Sequence, residues 1–286
     1  MAKSIIDTLV NFQKHGTASL ASAMIERRYL YFPDTKIQIT PESAKIYFED
    51  VIFQSLDGLQ LHGWFVPGQP KRPVVLFCHG NAGNMSNRVP MIRFLNNLGL
   101  SVFIFDYRGY GNSKGRVNEN GTYDDARGAL RWLLARGWST SEMIFLGRSL
   151  GAAVALQIAI EKPPARLVLE CPFTSIVEMA QLHYPRLYRL FRGLVRAKYS
   201  NVSKIKAIRS PLLLCHGTDD RIVPCVMGER LYDLAPRPKR LLLAKGGGHS
   251  DGDILGNPDY YATWHEFSDL KRPHPENDQQ EQIITC

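Results

Sequence analysis

Short, nearly continuous apolar runs alternate with longer helical patterns from about residue 46 to residue 270, and this alternation constrains the fold most. The runs Val74–Phe77, Ser101–Phe105, Met143–Leu146, Arg166–Leu169, Leu212–Cys215 and Arg240–Leu243 read as strands. Met91–Leu98, Tyr123–Arg136, Leu150–Glu161, Val226–Leu234 and Tyr260–Leu270 read as helices. Strands that are apolar on both faces need cover on both, as in a parallel sheet between two layers of helices. Ile46–Phe53 and Leu59–Val66, separated by Leu56-Asp57-Gly58, add a hairpin ahead of these units. The expected class is α/β, with a mostly parallel central sheet and helices on both faces. In such sheets chemistry gathers on the loops at the carboxyl ends of the strands.

A domain of residues 45 to 272 is expected, flanked by two other segments. Residues 1–44 read as a helical extension, because Ile5, Ile6, Leu9 and Val10, then Leu20, Met24 and Ile25, recur at helical spacing. Residues 273–286 are polar and contain Pro, and read as a disordered tail. The longest nearly apolar stretch, Leu150 to Ile160, is too short to cross a bilayer. Asp7 interrupts the first apolar run and no small-residue cleavage site follows it, so no signal peptide is read and a cytoplasmic setting is expected. The five cysteines at 78, 171, 215, 225 and 286 form no CxxC pair. Reduced thiols are expected, with Cys78, Cys171 and Cys215 as small core residues.

The formal charge of +8 is concentrated in one place. Between Ser175 and Arg209 eight basic residues (Arg186, Arg189, Arg192, Arg196, Lys198, Lys204, Lys206 and Arg209) face only Glu178, a local net charge of +7. Leu187, Leu190, Phe191, Leu194 and Val195 follow helical spacing inside this segment, and Tyr184, Tyr188 and Tyr199 add aromatic surface. One reading is a solvated basic helix whose apolar stripe covers the active site; the other adds attraction of the arginines to anionic head groups. No zinc-finger, RNA-recognition or helix-turn-helix pattern accompanies the charge, so no nucleic-acid partner is expected.

Gly147-Arg148-Ser149-Leu150-Gly151 is a G-x-S-x-G segment between an apolar strand and an apolar helix. A turn that tight brings strand and helix nearly into contact, which only glycine at 147 and 151 would allow. Ser149 is left at the apex, and the N–H of Leu150 opens the helix, where negative charge is stabilised. Gly111-Asn112-Ser113-Lys114-Gly115 fits the same letters but follows Tyr107-Arg108-Gly109-Tyr110 and precedes a polar stretch, so Ser113 lacks that mount. A serine nucleophile needs a base, and the base an orienting acid. Downstream, Asp219 and Asp220 follow one strand, and His249 lies in Gly246-Gly247-Gly248-His249 after the next. His216 precedes the acids and reads as structural; His265 falls in a helix and His274 in the tail.

With those residues in hand, the chain resembles the α/β-hydrolases, in the branch of ABHD-type and serine-aminopeptidase-like enzymes. VLFCHGNAGN (Val75–Asn84) is similar to their oxyanion loop and DYRGYGNSKG (Asp106–Gly115) to the loop after the next strand. FLGRSLGAA (Phe145–Ala153) is similar to the nucleophile elbow, HGTDDRIVP (His216–Pro224) to the acid loop and GGGHSD (Gly246–Asp251) to the histidine loop. The resemblance spans about residues 45 to 270. It implies Ser149, Asp220 and His249 as the triad, Asp220 being selected because the acid precedes x-x-Val-Pro. It implies Asn81 as the second oxyanion donor beside Leu150, His79 as a loop-shaping residue, a short helical cap at about 175–210, and no metal or cofactor.

The expected function is hydrolysis of a carboxylic ester or thioester, esterase-, thioesterase- or lysophospholipase-like, on a small-molecule acyl substrate through an acyl-enzyme. A serine peptidase or aminopeptidase is the alternative; a non-catalytic binding scaffold is a further one, which the intact triad opposes. Peripheral membrane contact through the N-terminal extension or the basic cap is a further expectation.

Overall fold

The computed structural model describes Glu26, residues 28–192 and residues 195–271. Eight strands form one sheet: β1 (Glu49–Gln54), β2 (Gln60–Val66), β3 (Val74–Cys78), β4 (Ser101–Phe105), β5 (Met143–Arg148), β6 (Arg166–Glu170), β7 (Leu212–Gly217) and β8 (Lys239–Ala244). Their order across the sheet is β1-β2-β4-β3-β5-β6-β7-β8. The β1–β2 and β2–β4 pairs are antiparallel and the remaining pairs parallel. Cys78 pairs with Gly147 and Arg148 with Glu170, so β3, β5 and β6 end at one level. That shared edge is where the loops bearing the chemistry begin.

The pleat sends alternate side chains to opposite faces, and each face has its own core. On one, Leu76, Phe103, Phe145, Leu167 and Leu214 pack under α2 (Glu119–Ala135) and α3 (Leu150–Glu161). On the other, Phe77, Ile104, Leu146 and Leu213 pack under α1 (Val89–Asn97) and the helix Pro258–Phe267, whose Tyr260, Trp264 and Phe267 are buried. Both ends of the chemistry thus stand on apolar layers that exclude water. Asn118 caps α2 by accepting the N–H of Gly121 at 2.9 Å. α3 is apolar on every side because the sheet, α2 and the helical turn Asn201–Lys204 surround it.

The segment before β1 departs from the expected helical extension. Glu26, Arg28 and Tyr29 are helical, but Phe32–Pro33 then pairs in parallel with Ala82–Gly83, and Pro41–Ala44 is a 3-10 turn. Pro33 and Pro41 break a continuous helix, and Tyr31, 2% exposed, joins the main core. The stretch is an arm laid across the domain. Its earlier part, carrying Ile5 to Ile25, and the tail 273–286 lie outside the described residues.

Between β6 and β7 the chain forms α4 (Ile176–His183) and α5 (Pro185–Phe191) and returns through an extended stretch and the turn Asn201–Lys204. The single apolar stripe expected here does not form. Pro185 starts a new helix after Tyr184 leaves the helical region, but α5 ends at Phe191, so Val195 falls in non-helical chain beyond the stripe's first half. Leu190 is 74% exposed, whereas Tyr199, expected as surface, is fully buried. Leu194 and the side chain of Phe191 lie outside the described residues. Cys78, Cys171 and Cys215 are free and buried. Cys225 is disulfide-bonded, so the expectation of reduced thiols fails there. Scattered cysteines carry no pairing signal in sequence, because a disulfide depends on tertiary distance. Among the described residues no helix is long and apolar enough to cross a membrane.

Candidate active site

The turn from β5 into α3 is as tight as its glycines imply. A Cβ on Gly147 would run into the Gly151 carbonyl and the Ala152 backbone; one on Gly151 would run into the carbonyls of Cys78 and His79. Ser149 between them takes φ 52° and ψ −114°, a costly conformation for a non-glycine residue that the packed strand and helix enforce. Its N–H donates to the Glu170 carbonyl at 2.8 Å, tying the turn to the end of β6.

Three side chains meet at this turn from three strand ends. Nε2 of His249 stands 3.2 Å from Oγ of Ser149, and Nδ1 donates to Oδ2 of Asp220 at 2.7 Å. An ionised carboxylate only accepts, so the proton sits on Nδ1 and Nε2 is free to accept from the serine. The other oxygen of Asp220 accepts the N–H groups of Ile222 at 2.9 Å and Val223 at 2.8 Å. Burial alone would push this carboxyl up, but hydrogen bonds from His216 and His249 and the Val223 N–H outweigh it and hold it well below the usual range. Asp219, one residue earlier, is exposed and accepts only from the Thr218 hydroxyl at 3.2 Å. The register of the turn after β7 therefore separates two adjacent acids. Such a relay can draw a proton from the serine hydroxyl and return it to a leaving group.

The other residues singled out in the sequence also have clear places. His216 donates from Nε2 to the Val223 carbonyl at 2.9 Å and braces the acid loop. His79 bonds through Nδ1 to the Gly80 carbonyl, and Tyr107 donates to the His79 carbonyl, so this histidine shapes the loop after β3. Asn81 follows that loop. Its side chain is held on both ends, accepting from Tyr110 at 2.9 Å and donating to the Leu30 carbonyl at 2.6 Å. A Cβ on the preceding Gly80 would sit 3.7 Å from that of Ser149, so the loop passes directly beside the serine. Leu150 opens α3 on its other side. Ser113 is turned inward: its hydroxyl donates to the Asp106 carbonyl at 2.6 Å and accepts the His62 N–H at 2.9 Å.

Cys171, His216 and Asp220 offer ligand atoms within 4.8 Å of one another. The set does not suit a metal. Both oxygens of Asp220 already accept hydrogen bonds, Oδ2 from His249 and Oδ1 from Ile222 and Val223, and Nε2 of His216 is spent on the Val223 carbonyl.

Above the serine lies a cavity of about 840 Å³. Ser149 and His249 form its floor; Met179, Tyr184 and Leu187 of the insertion and Tyr29, Leu30 and Phe32 of the arm form much of its wall. The two walls are joined, Tyr29 meeting Tyr184 edge-on at 5.9 Å and Glu26 accepting the N–H groups of Arg196 at 2.7 Å and Ala197 at 2.9 Å. The arm's part in this wall was not read from sequence, since no local pattern states where an extended segment docks. Nor was a buried ionic group behind His249, formed by Arg88, Arg148, Glu170 and Asp251. Its signal was available: Arg148 and Glu170 are charges that end apolar strands.

Comparison with known proteins gives a consistent family. The model of the serine aminopeptidase (S33) family matches residues 69–200. An uncharacterized protein of Mycobacterium tuberculosis is 40% identical over 233 residues, covering 80% of this chain and 82% of that one. The α/β-hydrolase domain-containing protein WAV2 of Arabidopsis thaliana is 33% identical, over 82% of this chain and 83% of its own. The lysophosphatidylserine lipase ABHD12 of Xenopus tropicalis is 34% identical, over 67% of this chain and 54% of its own. Among solved structures, the esterase Pf2001 of Pyrococcus furiosus has a TM-score of 0.67 at 20% identity, covering 82% of this chain and 97% of that one, a likeness of fold.

Proposed function

The chain belongs to the α/β-hydrolase family, and on that premise we propose that it is a serine hydrolase cleaving a carboxylic ester or thioester with an apolar acyl group. The observation that carries this reading is the relay Ser149–His249–Asp220, with spacings of 3.2 and 2.7 Å, on the floor of a largely apolar cavity. Ser149 attacks the acyl carbonyl while His249 takes its proton, and Asp220 holds the tautomer and stabilises the imidazolium. The backbone N–H groups of Asn81 and Leu150 hold the oxyanion, each worth about 3 kcal/mol of barrier. His249 protonates the leaving alcohol or thiol, and water, activated by the same imidazole, then hydrolyses the acyl-enzyme. No cofactor enters this scheme. The apolar wall favours an acyl chain over a charged peptide terminus.

A fluorophosphonate probe should label the chain at Ser149, and p-nitrophenyl esters of rising chain length should show kcat/KM increasing until the cavity is filled. Absence of both labelling and turnover would refute the assignment; preference for an aminoacyl-p-nitroanilide over every ester would support the peptidase alternative. The reading extends to a membrane surface as the place of the substrate, because Leu190 stands out 74% exposed between Arg189 of α5 and Arg192 just past its end. Binding to vesicles of phosphatidylglycerol that weakens in salt, and is absent with phosphatidylcholine alone, is the outcome this extension requires.

A further inference from the structure

Arg148, the variable position of the G-x-S-x-G segment, is a buried cation that touches both halves of the catalytic pair. Its guanidinium donates from one terminal nitrogen to the Glu170 carboxylate at 3.0 Å and from the other to the backbone carbonyl of His249 at 2.5 Å. Its Nε forms an ion pair with Asp251 at 2.5 Å. Asp251 is in turn held by Arg88 at 3.2 Å, and Glu170 accepts the Tyr260 hydroxyl. Arg148 is 2% exposed, Glu170 fully buried and Asp251 9% exposed.

These contacts close a ring. The Ser149 N–H donates to the Glu170 carbonyl, the Glu170 carboxylate holds Arg148, Arg148 holds the His249 carbonyl, and the His249 imidazole faces the Ser149 hydroxyl. Taking two cations and two carboxylates out of water is expensive, and a well-packed apolar set would serve stability at least as well. What an apolar set could not do is grip the carbonyl of a residue in a glycine-rich loop. Gly246, Gly247 and Gly248 precede His249 and leave its backbone little intrinsic stiffness. Arg has the planar, multiply donating head that such a three-point hold needs; Lys does not.

We propose that Arg148 is a positioning residue of the hydrolase, setting the place of the imidazole relative to the serine by fixing the His249 carbonyl to the ends of β5 and β6. The proposal rests on the serine-hydrolase reading above. A shift of about 1 Å in a reacting group costs on the order of 100-fold in rate, so losing this hold should act on the chemical step and leave substrate binding nearly alone.

The test uses the full chain and the variants Arg148→Lys, Arg148→Gln and Asp251→Asn. Active sites are counted by fluorophosphonate titration, and kcat and KM for a p-nitrophenyl ester are expressed per titrated site. Arg148→Lys should lower kcat per site about 10- to 100-fold with KM within about 2-fold. Asp251→Asn, which keeps the grip on the carbonyl but loosens the guanidinium, should lose less. Arg148→Gln removes the buried cation from Glu170, which keeps the Tyr260 hydroxyl, and leaves Asp251 to Arg88; if it does not fold, the other two variants decide. Unchanged kcat per titrated site in Arg148→Lys and Asp251→Asn, whatever the yield of folded protein, would show a purely structural role and overturn the proposal. A wild-type chain that neither labels nor turns over would instead overturn the hydrolase reading, and this assignment with it.

Discussion

The chain contains the letters G-x-S-x-G three times, at Gly111–Gly115, Gly147–Gly151 and Gly248–Gly252, and the first two copies have opposite fates. At Gly147–Gly151 a packed strand and a packed helix force Ser149 into a positive-φ conformation, and its hydroxyl faces an imidazole. At Gly111–Gly115 no helix follows directly, and the Ser113 hydroxyl donates to one backbone group and accepts from another. That loop is also anchored, contrary to what its polar sequence suggests. Arg108, just before it, makes a bidentate pair with Asp57 at 2.9 Å and hydrogen bonds to Asp125. Anchoring of the loop therefore does not distinguish the two serines. What distinguishes them is whether the hydroxyl is left with its bonding capacity unspent and aimed at a base.

Four measurements would break or sharpen that contrast. Ser149→Ala should abolish fluorophosphonate labelling and lower turnover at least about 10⁴-fold, while Ser113→Ala should leave labelling per folded molecule unchanged. Labelling retained without Ser149 would reverse the roles. Asp220→Asn should cost about 10³- to 10⁴-fold in kcat through loss of tautomer control, and Asp219→Asn less than about 3-fold; equal losses would mean that the register of the acid loop has been misassigned. Ser113→Ala should instead appear in chemical denaturation, at about 1–3 kcal/mol, because the buried His62 N–H loses its acceptor. The smallest effect belongs to Asp57, whose carboxyl the hydrogen bonds from Arg108, with one from Ser55, hold at about 2. Since its pKa in the folded chain lies below that in the unfolded one, its contribution is present above about pH 4 and fades as pH falls toward about 2. With Asp57 about half exposed, solvent screening keeps this below about 1 kcal/mol. Asp57→Asn should flatten that part of the stability–pH curve without changing activity near neutrality.

Much of this was legible in the sequence because it is local. Apolar runs such as Val74–Phe77 and Ser101–Phe105 became strands of nearly the expected span, since only a strand buried on both faces is apolar at every position. Ser149 and His249 could be proposed from the residues because each follows a strand end, whereas Asp219 and Asp220 both do, and Asp220 was preferred only through the resemblance to the α/β-hydrolases. The arm, the break at Pro185 and the ring through Arg148 were not legible in the same way. Each depends on which distant surfaces come together, and residue spacing carries no information about that. The break at Pro185 was partly announced by the proline itself, but the exposure of Leu190 depends on which surfaces pack beside α5.

The contact between the Tyr31 and Tyr199 hydroxyls, 3.1 Å long and 168 residues apart in sequence, bears on the order in which the molecule is built. Joining those two points closes a loop around most of the hydrolase domain. The entropy lost in closing a loop grows only logarithmically with its length, but it must be met before the contact returns anything. Neighbouring strands such as β5 and β6 meet across far shorter stretches of chain. The turn bearing Ser149 should thus be assembled while the arm is still unattached, and for that interval the serine stands open to solvent. Refolding followed by pulsed fluorophosphonate labelling would reveal such an interval as reactivity toward short esters that precedes any preference for long ones.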